Sequence, residues 1–166
     1  MKEFVRIAER PDLVPMVAQW LWDEWHLDAG DSLEATRDAV AASVSPSGPP
    51  QTFVLLVDNR PVGTASLVAH DLDERPNLTP WLAGVLVIPE ARGRGHVIHL
   101  IQAVEVACRS AGVGTVWLHT TNAERVYARA GWHTVEAIQR RGRSVVTLMR
   151  RDLTSGISSS GTATAR

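Results

Sequence analysis

A chain of 166 residues suits one domain, because two would each be too small to bury a good core. Hydrophobic residues make up 45% of it and charged residues 21%, ordinary for a globular protein, which excludes a disordered or fibrous class. The net charge of −1 conceals a split: residues 1–90 carry 6 Lys/Arg against 14 Asp/Glu, and residues 91–166 carry 11 Arg against 4 acids. The basic half suits a phosphate-bearing ligand and the acidic half a cationic one, while the dispersed arginines argue against nucleic acid.

The opening residues Met1-Lys2-Glu3-Phe4 lack the basic-then-apolar layout of a signal peptide. No apolar run approaches the roughly 20 residues that a membrane helix needs, so the expected location is the cytoplasm. Glu3 to Ala8 alternates and reads as a first strand. Asp12 then opens an amphipathic helix through Leu13, Val17, Trp20, Leu21 and Trp25, with Pro11 and Pro15 confined to its entry. Asp31-Ser32-Leu33-Glu34 has capping-box character and predicts a second helix to about Val44, broken by Ser45 to Pro50.

Thr52 to Val57 and Pro61 to His70 flank the turn Asp58-Asn59-Arg60 as a hairpin. Asp71 to Pro80 is a polar loop with two prolines, and Trp81 to Ile88 is a continuous apolar run expected to be buried on both faces. A Gly/Arg turn follows, then a helix from about His96 to Ala111 that stops at Gly112. Cys108, the single cysteine, lies in this apolar helix and reads as a small buried hydrophobe. Val113 to Thr120 is another buried strand, Ala123 to Ala130 a short helix ending at Gly131, and Trp132–Ile138 and Ser144–Arg150 are strands. The Ser/Thr/Gly/Ala-rich stretch from Thr154 to Arg166 is expected to be a disordered tail after a domain spanning residues 1–153. The order β-α-α-β-β-β-α-β-α-β-β predicts an α/β fold with one mixed, mostly antiparallel sheet and helices on both faces.

The chemistry concentrates at Arg92-Gly93-Arg94-Gly95-His96-Val97. A buried strand runs into a turn with two glycines, and the turn opens a helix whose first N–H groups have no intrahelical partner. Glycines let that backbone approach a ligand closely, so the turn is a pyrophosphate cradle reinforced by Arg92 and Arg94. The chain has neither a G-x-x-x-x-G-K-S/T loop nor a G-x-G-x-x-G with an acid on the next strand, so other nucleotide motifs fit less well.

Over residues 3–152 the motif and the element order together resemble the GNAT superfamily of acetyl-CoA-dependent N-acetyltransferases, whose signature Gln/Arg-x-x-Gly-x-Gly/Ala aligns with Arg92 to Val97. Val97 departs from the usual small residue and adds bulk beside the phosphates. His96 stands where an apolar residue is usual, and either contacts phosphate or is exposed at the helix start. The resemblance implies acetyl-CoA as cosubstrate, held by the Gly/Arg loop and by the strand residues Val85, Leu86 and Val87. It also implies that this strand and the one ending at Thr120 splay apart to admit the ligand. A family asparagine matches Asn122, and the family tyrosine ahead of a Gly-Trp pair matches Tyr127, ahead of Gly131-Trp132. By that match Tyr127 protonates the leaving thiolate; a core tyrosine with a satisfied hydroxyl is the alternative.

The strand from Trp81 to Ile88 carries no carboxylate of the kind many relatives use as a base. His119 on the adjoining strand, His70 with Asp71, or a water chain are the alternatives. Trp20, Trp22, Trp25 and Trp81 make the acceptor side aromatic, and Asp28, Asp31, Asp71, Asp73 and Glu74 make it acidic. Trp22, Trp25, Asp28, His70, Asp71 and Trp81 are therefore the expected acceptor contacts. The implied activity is acetyl transfer to a small cationic amine, such as an aminoglycoside-type antibiotic or a polyamine. A protein or peptide N-terminus, or a non-catalytic acyl-CoA sensor, are the alternatives. No metal, nucleic acid or membrane partner is expected, and a homodimer is left open.

Overall fold

The alternating first segment forms β1 (Lys2–Arg6), the start of a seven-stranded sheet in a computed structural model that describes residues 1–27 and 29–153. Asp28 and the predicted tail lie outside the described residues. The hairpin strands are β2 (Gln51–Val57) and β3 (Arg60–Val68), joined through Asp58 and Asn59 at φ 49° and 64°. Two left-handed residues make the turn twist with the strands, and Asn and Asp tolerate that conformation best after glycine.

The predicted single first helix divides into three hydrogen-bond registers. A 3₁₀ turn at Pro11–Leu13 leads into α1 (Val14–Leu21), and Trp22–His26 continue as a π-helical turn closed by Leu27 N–H donating to Trp22 O at 2.8 Å. In the wider turn the Trp22 indole donates to Asp31 O at 2.7 Å. Helix α2 (Leu33–Ala41) is shorter than expected, and its cap is Ser32, whose Oγ accepts from Ala35 N–H at 3.0 Å. Asp31 is diverted to the imidazole of His26, with Oδ2 2.8 Å from Nδ1.

The remaining elements are β4 (Trp81–Val87), α3 (His96–Ser110), β5 (Thr115–Thr120), α4 (Glu124–Arg129), β6 (His133–Gln139) and β7 (Val145–Asp152). The sheet order is β1-β2-β3-β4-β5-β7-β6, with β4 and β5 the one parallel pair among the described residues. Along β2 the side chains alternate: Phe53 and Leu55 join the core under α3, while Val54 and Leu56 join the core under α1 and α2. The helices therefore lie on opposite faces, as the sequence predicts. Cys108 is fully buried on the inner face of α3, and burial pushes its thiol up to about 11, which fits a packing role. No helix among the described residues is long and apolar enough to cross a membrane.

Two irregularities shape the centre of the sheet. β4 and β5 pair in register only at Trp81↔Trp117, and Trp117 N–H donates to Pro80 O at 3.1 Å. Beyond that point the parallel strands part. On its other edge β4 pairs Leu86 with Thr64 but Ala83 with Ser66, so Gly84 and Val85 together oppose Ala65 in a bulge. The expectation that Trp81 to Ile88 is buried on both faces fails in its middle. Ala83, Gly84 and Val85 are half-exposed, because the strand that would cover them has splayed away.

Candidate active site

The Gly/Arg turn leaves the end of β4 with Arg92 Nε donating to Val87 O at 3.0 Å, a bond that fastens the turn to the strand. Gly93 and Gly95 have φ 76° and 77°, and no atom lies within 4 Å of where a Cβ would stand on either. The left-handed backbone requires glycine there, and the space beside it is open. The amides of Gly93, Arg94 and Gly95 have no partner among the described residues, and no side chain caps α3. The first helical turn adds its own unpaired amides and partial positive charge. Arg92 and Arg94 are exposed beside them. A polyanion such as a pyrophosphate fits this surface.

The side chain of His96, the first residue of α3, does not join it. For the side chain, both sequence expectations, phosphate contact and exposure, give way to burial: it is 6% exposed and its Nδ1 has no hydrogen-bond partner among the described residues. It occupies the core-facing position of the first helical turn as an apolar residue would. Val97 is half-buried and packs against the same core. Burial lowers the His96 pKa, helped by the charges of Lys2, His99 and Arg94. A histidine held neutral in the fold costs stability once the unfolded chain takes up its proton. Stability is therefore expected to fall as pH drops through the unfolded value near 6.5 and to level off below the lowered folded value. His96→Leu is expected to flatten that slope and to stabilise the protein at pH 7 by about 1 kcal/mol, since it removes an orphaned buried polar group. Urea unfolding at several pH values reads both effects, and an unchanged slope would refute the assignment.

The split between β4 and β5 opens toward the Gly/Arg turn. Val85 is half-buried and Leu86 and Val87 are buried, and beyond Trp81 the β5-facing edge of β4 has no strand partner among the described residues. Alternate backbone groups along that edge are free to pair with an extended amide-bearing ligand arm. On the far side of the split Tyr127 stands on α4, half-buried, its ring edge-on to Trp132 with centroids 6.2 Å apart. Its hydroxyl makes no hydrogen bond among the described residues, and burial pushes its pKa up to about 12. Asn122 is exposed in the turn before α4, where Thr120 Oγ1 accepts from Ala123 N–H at 3.0 Å.

His119 lies on β5 two residues past the Trp81↔Trp117 pairing, at the mouth of the split and level with the start of the β4 bulge. Its Nε2 is 3.0 Å from Asp71 Oδ2, and its ring stands edge-on to Trp81 with centroids 6.1 Å apart. Asp71 holds the imidazole with Nε2 as donor, which leaves Nδ1 as the basic nitrogen. This pairing, between a loop residue and a strand residue 48 positions on, is invisible to sequence spacing. Asp71 also lines an open cavity of about 570 Å³ with His70, Asp73 and Arg140.

The predicted aromatic and acidic acceptor side is partly corrected. Trp81 is fully buried, its indole donating to Leu78 O at 2.8 Å, so it is a floor under His119 and offers no acceptor contact. Trp22 is half-buried and bound to Asp31 O, whereas Trp25 is 45% exposed. Glu74 is drawn toward Arg140, at 3.6 Å, and accepts from Arg141 N–H at 3.1 Å, so its charge is offset. Asp28 lies outside the described residues. Sequence reasoning missed Glu105, an acid only 5% exposed beneath α3 that accepts from the Trp132 indole at 3.1 Å. The signal was present: Glu105 shares a helical face with Ile101, Val104 and Cys108, where a lone acid is out of place.

A family profile described as "Acetyltransferase (GNAT) family" matches residues 14–132. No curated protein matches the sequence. Among solved structures, an aminoglycoside 6'-N-acetyltransferase complexed with coenzyme A superimposes with a TM-score of 0.73 at 13% identity, covering 92% of this chain and 98% of that one. The aminoglycoside 6'-N-acetyltransferase from Enterococcus faecium gives 0.71 at 14% identity, over 92% of this chain and 98% of that one. A chimeric spermidine N-acetyltransferase drawn from Vibrio cholerae SpeG and hSSAT gives 0.68 at 14% identity, over 90% of this chain and 95% of that one. At such identities the likeness is one of fold.

Proposed function

The chain belongs to the acetyltransferase (GNAT) family, an acyltransferase with acetyl-CoA as cosubstrate, and from that premise we propose that it acetylates a primary amine of a small cationic molecule. One observation carries the proposal beyond the family: the His119–Asp71 pair stands at the mouth of the β4/β5 split, and Asp71 shares a cavity with Asp73. Bound acetyl-CoA supplies the thioester; the chain's residues do the rest. The open glycine amides and Arg94 hold the pyrophosphate, and the free edge of β4 from Val85 to Val87 aligns the arm. A bulge amide near Leu86 donates to the carbonyl oxygen as charge grows on it. His119 Nδ1 takes the proton that the attacking amine must lose, with Asp71 holding the ring and balancing its charge. Tyr127 donates from its hydroxyl to the departing sulfur.

The acceptor class follows from charge. Asp23 and Glu24 belong to the same π-helical turn as exposed Trp25, and Asp73 lines the cavity beside Asp71. An aromatic face beside carboxylates favours a cation. Polyamines and aminoglycosides are the first acceptors to test, and neighbours of this fold carry both names.

A thiol-release assay with acetyl-CoA and a panel of amines is the direct test. Turnover on polycationic amines is expected; tight acetyl-CoA binding without turnover on any amine would indicate a sensor and refute the reading. His119→Gln is expected to lower kcat by about 10²-fold, the low end for a general base because water can share the task. Asp71→Asn is expected to cost less, about tenfold, since it misdirects the imidazole without removing it. A His119 variant with undiminished kcat would assign the proton to water instead.

A further inference from the structure

Helix α4 is six residues long, lacks a side-chain cap and is exposed over most of its surface. Such a segment is marginal on its own, so the position of Tyr127 must be set from outside it. The first turn of α4 is tied to β6 by Thr134 Oγ1 donating to Glu124 Oε1 at 2.6 Å and to β5 by Ala123 N–H donating to Thr120 Oγ1 at 3.0 Å. The directed contacts at Tyr127 itself come from Trp132. Its backbone N–H donates to Tyr127 O at 3.0 Å, and its ring packs edge-on to the tyrosine. Its indole Nε1 donates to Glu105 Oε1 at 3.1 Å. Arg151 on β7 closes the group: Nη1 donates to Gly131 O at 2.7 Å, and Nε lies 3.5 Å from Glu105 Oε1 as an ion pair. Arg109, one turn along α3, approaches the other carboxylate oxygen at 4.0 Å.

Glu105 belongs to the helix whose first turn forms the pyrophosphate cradle. The carboxylate thus links the cradle helix to the Gly131-Trp132 turn that carries Tyr127. We propose that Glu105, Trp132 and Arg151 are positioning residues that hold the Tyr127 hydroxyl at a fixed place relative to the cradle, so that the proton donor meets the sulfur of a ligand anchored by its phosphates. The inference rests on the acid role given to Tyr127 above. An apolar residue at 105 would pack the helix at least as well, since a buried ion pair is weak support for stability. The network spans the two elements whose relative placement the reaction needs.

Glu105→Gln keeps an acceptor for the Trp132 indole but removes the charge that holds Arg151. Trp132→Phe keeps a ring but removes the indole N–H. Each is expected to lower kcat about tenfold with the KM for acetyl-CoA within about twofold, the cost of a misplaced group and not of a lost ligand contact. In a Tyr127→Phe background neither should lower kcat further. Tyr127 is the single tyrosine, so its ionisation can be followed directly by tyrosinate absorbance. Burial holds the Tyr127 phenol above its ordinary range, so the midpoint is expected to fall toward the free-phenol value near 10 as the ring loosens. Equal kcat losses in both backgrounds, or an unmoved midpoint in both variants, would overturn the proposal. Full kcat in Tyr127→Phe alone would instead remove the acid role, and the absorbance titration would still report whether the network holds the ring.

Discussion

Tyr127→Phe is expected to lower kcat by about 10³-fold while leaving the acetyl-CoA Kd within about twofold. The substitution is clean because the hydroxyl has no hydrogen-bond partner among the described residues, so its removal orphans nothing. The ring keeps its edge-on contact with Trp132. Burial holds the phenol's pKa at about 12, above its ordinary value near 10. A raised pKa keeps the proton on, so the Tyr127 hydroxyl stays protonated through the neutral range, and no alkaline fall in rate near its ordinary value of about 10 should come from it. A pKa that high also makes complete transfer to a thiolate in water uphill. Where a bound ligand excludes water from the split, the thiol's own pKa is raised by the same loss of solvent, which narrows the gap. In the proposed acid role the hydroxyl would therefore act chiefly by donating a hydrogen bond to the sulfur as negative charge grows there. Single-turnover kinetics with saturating acetyl-CoA isolate this step, and a loss smaller than threefold would sink the assignment.

Much of this geometry is legible in the residues, and the parts that are not share a physical reason. Arg92 to Gly95 reads as a cradle from sequence because left-handed backbone at a helix start demands glycine locally. Tyr127 reads through its neighbour pair Gly131-Trp132, again a local pattern. His96 deceived, because a polar residue at a helix N-terminus is ordinarily solvated, and only the packing of α3 on the sheet decides that this position faces inward. Trp81 deceived in the opposite sense: an aromatic beside an acidic loop suggests a ligand platform, yet its register with Trp117 drives it under His119. The His119–Asp71 pair, the single-register contact of β4 with β5, and the Glu105 network all join residues distant in sequence. Spacing carries no trace of them; they exist only once the strand order is set.

Gly131→Ala is expected to destabilise the protein by about 3–5 kcal/mol, a large part of the roughly 5–15 kcal/mol that holds a domain of this size together. Gly131 has φ 93°, which an alanine adopts only with strain of about 1–2 kcal/mol. A Cβ there would fall on Arg151 Nη1 and 2.8 Å from its Cζ. The guanidinium is the mobile end of a long side chain and can swing clear, so the clash alone is not the cost. Swinging clear breaks the bond to Gly131 O and takes the cation from Glu105, which is 5% exposed and cannot recover water. A buried carboxylate left with only an indole N–H and a distant Arg109 accounts for most of the loss. Gly131→Ala combined with Glu105→Leu should then recover part of the stability, because the stranded charge is gone, while kcat stays low because Tyr127 has lost its anchor. Thermal unfolding of both variants decides it: a double variant no more stable than the single one would place the cost in backbone strain and not in the network.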